Sequence, residues 1–219
     1  MDFQAAIFDL DGTLLQSMDV WEKIDIDLLA KRGLPVPKNY LAEINNCNSF
    51  KEAAAYTIKL FGLPESEETI MKEWNRMAAH EYAKNVRLTP YALDYLLQLK
   101  AAHIKLAVAT ALPEELYKPC LLNNGIADLF DFQCSTDQVN RSKEHPDLFL
   151  FAAENVKTPA QKCIVFEDVL PAIKSAKQAG MLACAVYDKY SAHNQVEIKA
   201  IADVYLYDFR DAPLPQKDA

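Results

Sequence analysis

The sequence predicts an α/β protein, a doubly wound parallel sheet with an inserted all-helical cap subdomain. Short runs rich in Val, Ile, Phe and Tyr alternate along the 219 residues with segments of helical periodicity. Most of these runs are apolar throughout, which is typical of parallel strands buried on both faces. About ninety residues separate the first run from the second, far more than a single crossover helix needs.

Six short segments rich in β-branched and aromatic residues are predicted to form the sheet. In chain order they are AAIFDL (5–10), KLAVAT (105–110), FQCST (132–136), CIVFED (163–168), LACAVY (182–187) and VYLYD (204–208). Helices are predicted between them at 90–102, 113–124, 146–156, 169–179 and 192–201. Gly125 and Gly180 are predicted to end two of these helices, because glycine accepts the left-handed conformation found there.

The long interval after the first strand contains helical patterns alone, and apolar residues recur on one face of each. These patterns cover 18–32, 38–46, 50–60 and 66–84. We therefore predict a core domain formed by 1–16 and 86–219, with a helical cap formed by 17–85. The cap would hinge near Leu15 to Ser17 and near Lys84 to Leu88.

Composition and charge exclude several classes of partner. The net charge is −8 and the 23 basic residues are scattered, whereas nucleic acid binding requires a concentrated cationic face. The five cysteines lack the spacing of a metal or redox motif. The amino terminus does not resemble a signal peptide, and no stretch is long and apolar enough to span a bilayer. We therefore expect a cytoplasmic monomer with neither a nucleic acid nor a membrane partner.

Polar residues follow the predicted strands at one edge of the sheet. In an open parallel sheet, ligands bind at the carboxyl ends of the strands, near the point where strand order reverses. The residues placed there are Asp9, Asp11, Gly12, Thr13, Thr110, Lys143, Glu167 and Asp168. So many carboxylates close together require a cation, and Mg²⁺ takes hard oxygen ligands and keeps waters for a substrate phosphate. Lys143 and Thr110 would then hold phosphate oxygens, together with backbone N–H groups of the first turn.

These residues fall into four short motifs. They are DLDGTL (9–14), Thr110 closing an apolar strand, Lys143 in a K-x-x-P-D pattern, and Glu167-Asp168 after another apolar strand. In this order the motifs resemble those of the haloacid dehalogenase superfamily. The spacing and the inserted helices resemble the branch that contains β-phosphoglucomutase and small sugar-phosphate phosphatases.

The resemblance implies a chemical role for each acid. Asp9 resembles the nucleophile that attacks phosphorus and forms an aspartyl-phosphate. Asp11 resembles the general acid and base, which protonates the leaving oxygen and then takes a proton from water. Mg²⁺ would be bound by the Asp9 carboxylate, the Asp11 backbone carbonyl and Asp168, with Glu167 close by, through water.

The resemblance also implies which residues bind the phosphoryl group. Thr110 and the backbone N–H of Ala111 would contact its oxygens, and Gly12 would let the backbone approach closely. Lys143 would hold Asp9 and the phosphate together while charge develops. The implied function is a Mg²⁺-dependent phosphatase for a small phosphorylated metabolite, most plausibly a sugar phosphate.

The sequence departs from the branch at four positions. Val169 and Ala172 replace the usual Ser and Gly after the last acidic pair, so a hydroxyl that would support metal binding is missing. Cys47 stands where the cap commonly has Gly, and Gln16 where Asp is frequent. These departures bear on the reaction rate and on the choice of substrate, and not on the type of reaction, because each leaves the acids and the lysine in place.

Other functions remain to be weighed. A phosphomutase of this branch carries a His on the first cap helix, whereas this chain has Trp21 there, which resembles the phosphatases. A degenerate phosphate-binding protein would be consistent with Val169 and Ala172. A phospho-accepting receiver also groups acids, a Thr and a Lys on such a sheet, but it lacks a cap of this size and phosphorylates an Asp on a later strand.

Each motif also has a plainer interpretation when taken alone. Asp11-Gly12 could be a structural turn, and Glu167-Asp168 an acidic helix start. Lys143 could be a solvated loop lysine, and Trp21 a residue of the cap core. A polar stretch, Asn45, Asn46, Asn48 and Ser49, either faces the cleft or forms a solvated turn.

Overall fold

The computed structural model describes residues 1–44, 47 and 49–216. Its centre is a parallel sheet with the strand order β3-β2-β1-β4-β5-β6. The strands are β1 (Ala5–Phe8), β2 (Lys105–Thr110), β3 (Phe132–Ser135), β4 (Cys163–Glu167), β5 (Leu182–Val186) and β6 (Val204–Leu206). The predicted fold class is confirmed, and each strand lies within a segment predicted to form one.

The helices fall into two groups, separated by β2. Those between β1 and β2 are α1 (Met18–Lys31), α2 (Tyr40–Ile44), α3 (Phe50–Phe61), α4 (Glu67–Lys84) and α5 (Ala92–Ala101). The later ones are α6 (Glu114–Asn123), α7 (Thr136–Val139), α8 (Asp147–Asn155), α9 (Leu170–Gln178) and α10 (Gln195–Ile201). The short α7 was not predicted, and it is started by a capping box between Ser135 and Gln138.

The apolar strands are explained by two hydrophobic layers, one on each face of the sheet. Along β1, Ala6 and Phe8 belong to one layer, whereas Ala5 and Ile7 belong to the other. The ring of Phe8 stacks on that of Phe166 in β4, with centroids 4.5 Å apart. Because both faces of β1 are covered, this strand contains no alternating polar residues.

The order of the strands creates a switch point between β1 and β4. The chain passes from β1 to β2 and β3 on one side, then returns to β4 on the other side. Phe8 and Phe166 are paired near the carboxyl ends of these two strands. The residues that follow each strand therefore lie beside one another, where a ligand is expected to bind in this architecture.

The four helices α1 to α4 lie together over this edge of the sheet. The segments that connect them to the sheet run side by side, since Leu15 and Leu88 form an antiparallel bridge. The N–H of Gln16 donates to the carbonyl of Arg87 at 2.9 Å. The exact division between core and cap stays a prediction, as does its hinge. Within the described residues, every helix is too short or too polar to cross a bilayer.

Candidate active site

A buried lysine lies between two acids at the switch point. The Nζ of Lys143, which precedes α8, contacts Oδ1 of Asp9 and lies 2.7 Å from Oε2 of Glu167. Burial opposes the charged form of Lys143, but the two acids outweigh this effect and raise its pKa. This lysine is therefore a fixed cation beside Asp9, and the interpretation as a solvated loop lysine is wrong.

Three buried carboxylates meet beside this lysine. Oxygen atoms of Asp9, Glu167 and Asp168 all lie within 4.8 Å of one another. Burial raises the pKa of Asp9 and of Asp168 well above the usual range, and repulsion from Glu167 adds to both shifts. Three acids with one lysine leave an excess of negative charge, and hard oxygen donors are the ligands that Mg²⁺ prefers. The donor set therefore fits a divalent cation.

Glu167 uses its two oxygen atoms differently. Oε2 accepts from Lys143, while Oε1 accepts from the backbone N–H groups of Asp168 and Val169, at 3.1 and 3.4 Å. The interpretation of Glu167-Asp168 as a helix start therefore accounts for the contacts of Oε1 alone. The contact of Oε2 with Lys143 joins Glu167 to the acidic group.

The turn after β1 lies against Asp168. Gly12 has a φ of +75°, and a Cβ placed there would lie 2.8 Å from Oδ2 of Asp168. The hydroxyl of Thr13 donates to Oδ1 of Asp168 at 3.4 Å. Both the backbone conformation and the close approach therefore require glycine at position 12.

The carboxylate of Asp11 accepts hydrogen bonds from residues of the cap. Ser17 and Tyr82 each donate a hydroxyl to Oδ1 at 2.5 Å, and the indole N–H of Trp21 donates to Oδ2 at 3.1 Å. Burial raises the pKa of Asp11 against the opposing effect of these three donors. Trp21 also contacts the Tyr82 hydroxyl, so the cap and Asp11 form one network.

Ser191 supplies a hydroxyl where the sequence suggested that one was missing. It lies after β5, and its Oγ donates to Oδ2 of Asp168 at 2.7 Å. A hydroxyl from another loop therefore contacts the acid that precedes Val169. Sequence reasoning did not find Ser191. It placed Ser17 at a hinge and Tyr82 within the helical pattern 66–84, but it identified neither as a partner of Asp11.

The predicted residues surround a single cavity of about 140 Å³. Its sheet wall is formed by Asp9, Asp11, Thr110, Ala111, Lys143, Glu167 and Asp168. The oxygen of the buried Thr110 hydroxyl accepts from the N–H of Leu112 at 3.1 Å, so its proton stays available for an anionic oxygen. Gly12 borders this wall through its contact with Asp168.

The opposite side of the cavity belongs to the helices over the sheet edge. This cap wall contains Trp21, Asp25, Ile44, Phe50, Ala53 and Trp74, with Cys47 and Ser49. It is mainly aromatic and aliphatic, which is typical of the part of a pocket that selects a ligand by shape. Asn45, Asn46 and Asn48, which were considered for this wall, lie outside the described residues.

Comparisons with known proteins agree with this arrangement. Residues 6–186 match the family described as haloacid dehalogenase-like hydrolase. A validoxylamine A 7′-phosphate phosphatase from Streptomyces hygroscopicus subsp. limoneus is 28% identical over 97% of both chains. A phosphorylated carbohydrates phosphatase from Thermotoga maritima is 24% identical, over 81% of this chain and 82% of that protein.

A solved structure shows the same fold. The crystal structure of CbbY from Rhodobacter sphaeroides in complex with phosphate superposes with a TM-score of 0.84, at 23% identity. The match covers 95% of this chain and 96% of that one. With the family match extending over most of its length, the chain belongs to the haloacid dehalogenase-like hydrolases.

Proposed function

We propose that this hydrolase is a phosphoric monoester hydrolase that requires Mg²⁺ and acts on a small phosphorylated sugar through an aspartyl-phosphate. The observation that carries the proposal is the meeting of Asp9, Lys143 and Asp168 in one cavity with Asp11. Two of the similar proteins named above, a validoxylamine A 7′-phosphate phosphatase and a phosphorylated carbohydrates phosphatase, support the class of substrate.

In the first half-reaction, the carboxylate of Asp9 attacks phosphorus. A bond forms between an Asp9 oxygen and phosphorus, and the bond from phosphorus to the ester oxygen breaks. Asp11 gives its proton to that leaving oxygen, so that the product is a neutral alcohol. The raised pKa of Asp11 favours the protonated form that this step needs.

In the second half-reaction, a water molecule attacks the phosphorus of the aspartyl-phosphate. Asp11, now ionised, accepts the proton of this water while the bond between phosphorus and Asp9 breaks. Inorganic phosphate leaves, and both acids return to their starting states. Throughout, Lys143 and Thr110 hold phosphoryl oxygens, and the buried ammonium of Lys143 offsets their negative charge.

The carboxylates of Asp9 and Asp168, with the backbone carbonyl of Asp11, would hold Mg²⁺, and Glu167 would contact it through water. When bound, the cation offsets the charge of the acids and of the phosphoryl group. Ser191 and Thr13 keep the Asp168 carboxylate in place for this role.

Trp21 favours hydrolysis over phosphoryl transfer to a second sugar. An indole N–H is a hydrogen-bond donor that does not ionise near neutral pH, so it cannot replace a histidine as an acid or base. Trp21 instead donates to Asp11. An assay that starts from hexose 1-phosphate and measures both free phosphate and hexose 6-phosphate would separate a phosphatase from a mutase.

The decisive experiment measures phosphate release from a panel of phosphorylated metabolites, with Mg²⁺ and with a chelator. We expect turnover of sugar phosphates that depends on Mg²⁺ and that falls at least about 10⁴-fold in Asp9→Asn. Asp94→Asn, which alters an exposed acid at the start of α5, is the matched control and should keep its activity. Substantial turnover by Asp9→Asn would contradict the proposal.

A further inference from the structure

We propose that Asp25 and Trp74 form a subsite that binds a hydroxyl group of the leaving alcohol, so that the enzyme prefers neutral polyhydroxylated substrates. This inference rests on the proposed function, because it assigns the part of the substrate that lies beyond the phosphate. It concerns two cap residues to which neither the motifs nor the mechanism gives a role.

Two buried polar atoms on the cap wall lack partners. Asp25 of α1 is 4% exposed, and among the described residues its Oδ1 has no hydrogen-bond partner. Trp74 of α4 is 1% exposed, and within the same part of the chain its Nε1 is also unpaired. Both side chains line the cavity that contains Asp9 and Lys143.

The two atoms have complementary needs. Oδ1 of Asp25 is an acceptor and Nε1 of Trp74 is a donor, and leaving either one buried and unpaired is unfavourable. A hydroxyl group can donate to the first and accept from the second at once. Both atoms are themselves buried, so a substrate hydroxyl would satisfy them once side chains of the cap wall shift to admit it.

The surroundings of Asp25 argue against a purely structural role. Burial raises its pKa to about 7, despite the opposing effect of the nearby Tyr40 phenol and Trp74 indole. The indole nevertheless fails to complete a hydrogen bond of normal geometry. An acid that is difficult to ionise and only partly satisfied works against folding, and such groups are concentrated at functional sites.

The same residues define what the subsite rejects. A carboxylate on the leaving group would meet Asp25 in a poorly solvated cavity, where either the two like charges repel or Asp25 must bind a proton. The apolar neighbours Phe50 and Ala53 suit the C–H face of a sugar or polyol. The subsite is therefore matched to hexose or hexitol monophosphates and opposes phosphorylated carboxylic acids.

The test compares substrates that differ in hydroxyl groups. Glucose 6-phosphate and a hexitol monophosphate are measured against cyclohexylmethyl phosphate, which has a similar ring without hydroxyls, and against 2-phosphoglycolate. The quantity compared is a ratio: kcat/KM for the better hydroxylated substrate divided by kcat/KM for cyclohexylmethyl phosphate. In Asp25→Leu, we expect this ratio to fall at least about tenfold. Trp74→Phe should lower this ratio in the same direction by a smaller factor.

The conservative variant and a control identify the cause. Asp25→Asn keeps a hydrogen-bonding group but removes the charge, so it should largely retain this ratio while improving 2-phosphoglycolate relative to the hexose phosphates. Asp27→Asn alters a half-exposed acid of the same helix, paired with Lys23, and should change none of the ratios. Equal losses for all substrates in Asp25→Leu, or no loss at all, would overturn the subsite.

A binding measurement separates this inference from the proposed function. In the Asp9→Asn background, calorimetry compares the affinities for glucose 6-phosphate, the hexitol monophosphate and cyclohexylmethyl phosphate without requiring turnover. A preference for a hydroxylated ligand that disappears when Asp25→Leu is added supports the subsite, even if the wild-type protein releases no phosphate. No preference for either hydroxylated ligand contradicts the subsite, even if the wild-type protein is an active phosphatase.

Discussion

The sheet wall and the cap wall of the cavity differ in how their charged groups are satisfied. On the sheet wall, Lys143 lies between Asp9 and Glu167, and Asp168 accepts from Ser191. On the cap wall, Asp25 is surrounded by aromatic and aliphatic side chains, and within the described chain its Oδ1 stays unpaired. One wall holds its charged groups in a connected network, whereas the other leaves a buried polar atom unpaired among the described residues.

This difference corresponds to two tasks, catalysis by the sheet wall and selection of the substrate by the cap wall. Groups that act on a phosphoryl unit must be fixed in advance, because preorganised charges stabilise a transition state without rearranging. Groups that recognise the leaving alcohol need only be satisfied when the correct substrate is bound. Changes to the sheet wall should therefore affect every substrate, and changes to the cap wall should alter the choice among them.

After Asp9→Asn, Lys143→Met should have the largest effect, because it removes the one ammonium from the described acidic group. We expect kcat/KM to fall at least about 1,000-fold for every phosphomonoester. Breaking a buried ion pair should also lower the free energy of unfolding by about 3–5 kcal/mol. Urea denaturation and phosphate release measure the two effects.

Lys118→Met is the control for this prediction. Lys118 is half-exposed and pairs with Glu114 one turn earlier in α6, an arrangement worth at most about 0.5 kcal/mol. If Lys143→Met proved as stable and as active as this control, the ammonium of Lys143 would have no electrostatic role on the sheet wall.

Asp25→Asn tests the cap wall through stability. The Asp25 carboxyl has a pKa of about 7 in the folded protein and about 4 when unfolded, so the folded state holds an extra proton between these values. Raising the pH through this window therefore lowers the stability of the wild type. We expect Asp25→Asn to match the wild type near pH 4 and to exceed it at pH 8 by about 2–4 kcal/mol.

Chemical denaturation at several pH values measures this difference. The stability advantage of Asp25→Asn should grow steadily from pH 4 to pH 7 and then level off. Asp27→Asn, on the same helix but half-exposed, should not show this growth. A constant difference between Asp25→Asn and wild type across the range would mean that Asp25 ionises as it does in the unfolded chain.

Gly12→Ala should have a smaller effect that again concerns all substrates. A methyl group there would displace the Asp168 carboxylate, 2.8 Å away, and the backbone has a positive φ. We expect kcat/KM to fall about 100-fold, since a misplacement of roughly 1 Å can have that effect. Gly33→Ala is the control. Gly33 also has a positive φ, at +67°, but a Cβ placed there would meet no atom within 4 Å among the described residues. We therefore expect this change to lower the stability by about 1 kcal/mol and to leave the activity unchanged.

The sheet wall could be predicted from the sequence, because each of its residues directly follows an apolar strand or stands in a short motif. Parallel topology then brings the ends of β1 and β4 together, although they are far apart in the chain. Hydrogen bonds between distant segments have no such local signal. Tyr82 donates to Asp11 across 71 residues, and nothing beside either residue indicates the contact.

Asp25 was also missed, for a different reason. On an amphipathic helix, an acid is normally assigned to the solvent face, and Asp25 has the acids Glu22 and Asp27 nearby in the sequence. Its burial depends on how α1 packs against α4, which the helical pattern alone does not determine. The loss of a hydroxyl at Val169 stays a prediction, and its candidate replacement, Ser191, which donates to Asp168, could be found only in the folded chain.

Ser191→Ala should have the smallest effect of this series, and it tests whether that replacement matters. Removing the hydroxyl that donates to Asp168 should raise the Mg²⁺ concentration needed for half-maximal activity about tenfold. Ser142→Ala, in the loop before Lys143, is the control. If Ser191→Ala kept the Mg²⁺ requirement of the control, the turn at Gly12 and Thr13 would hold Asp168 without help from Ser191. The hydroxyl that is missing at Val169 would then have no replacement.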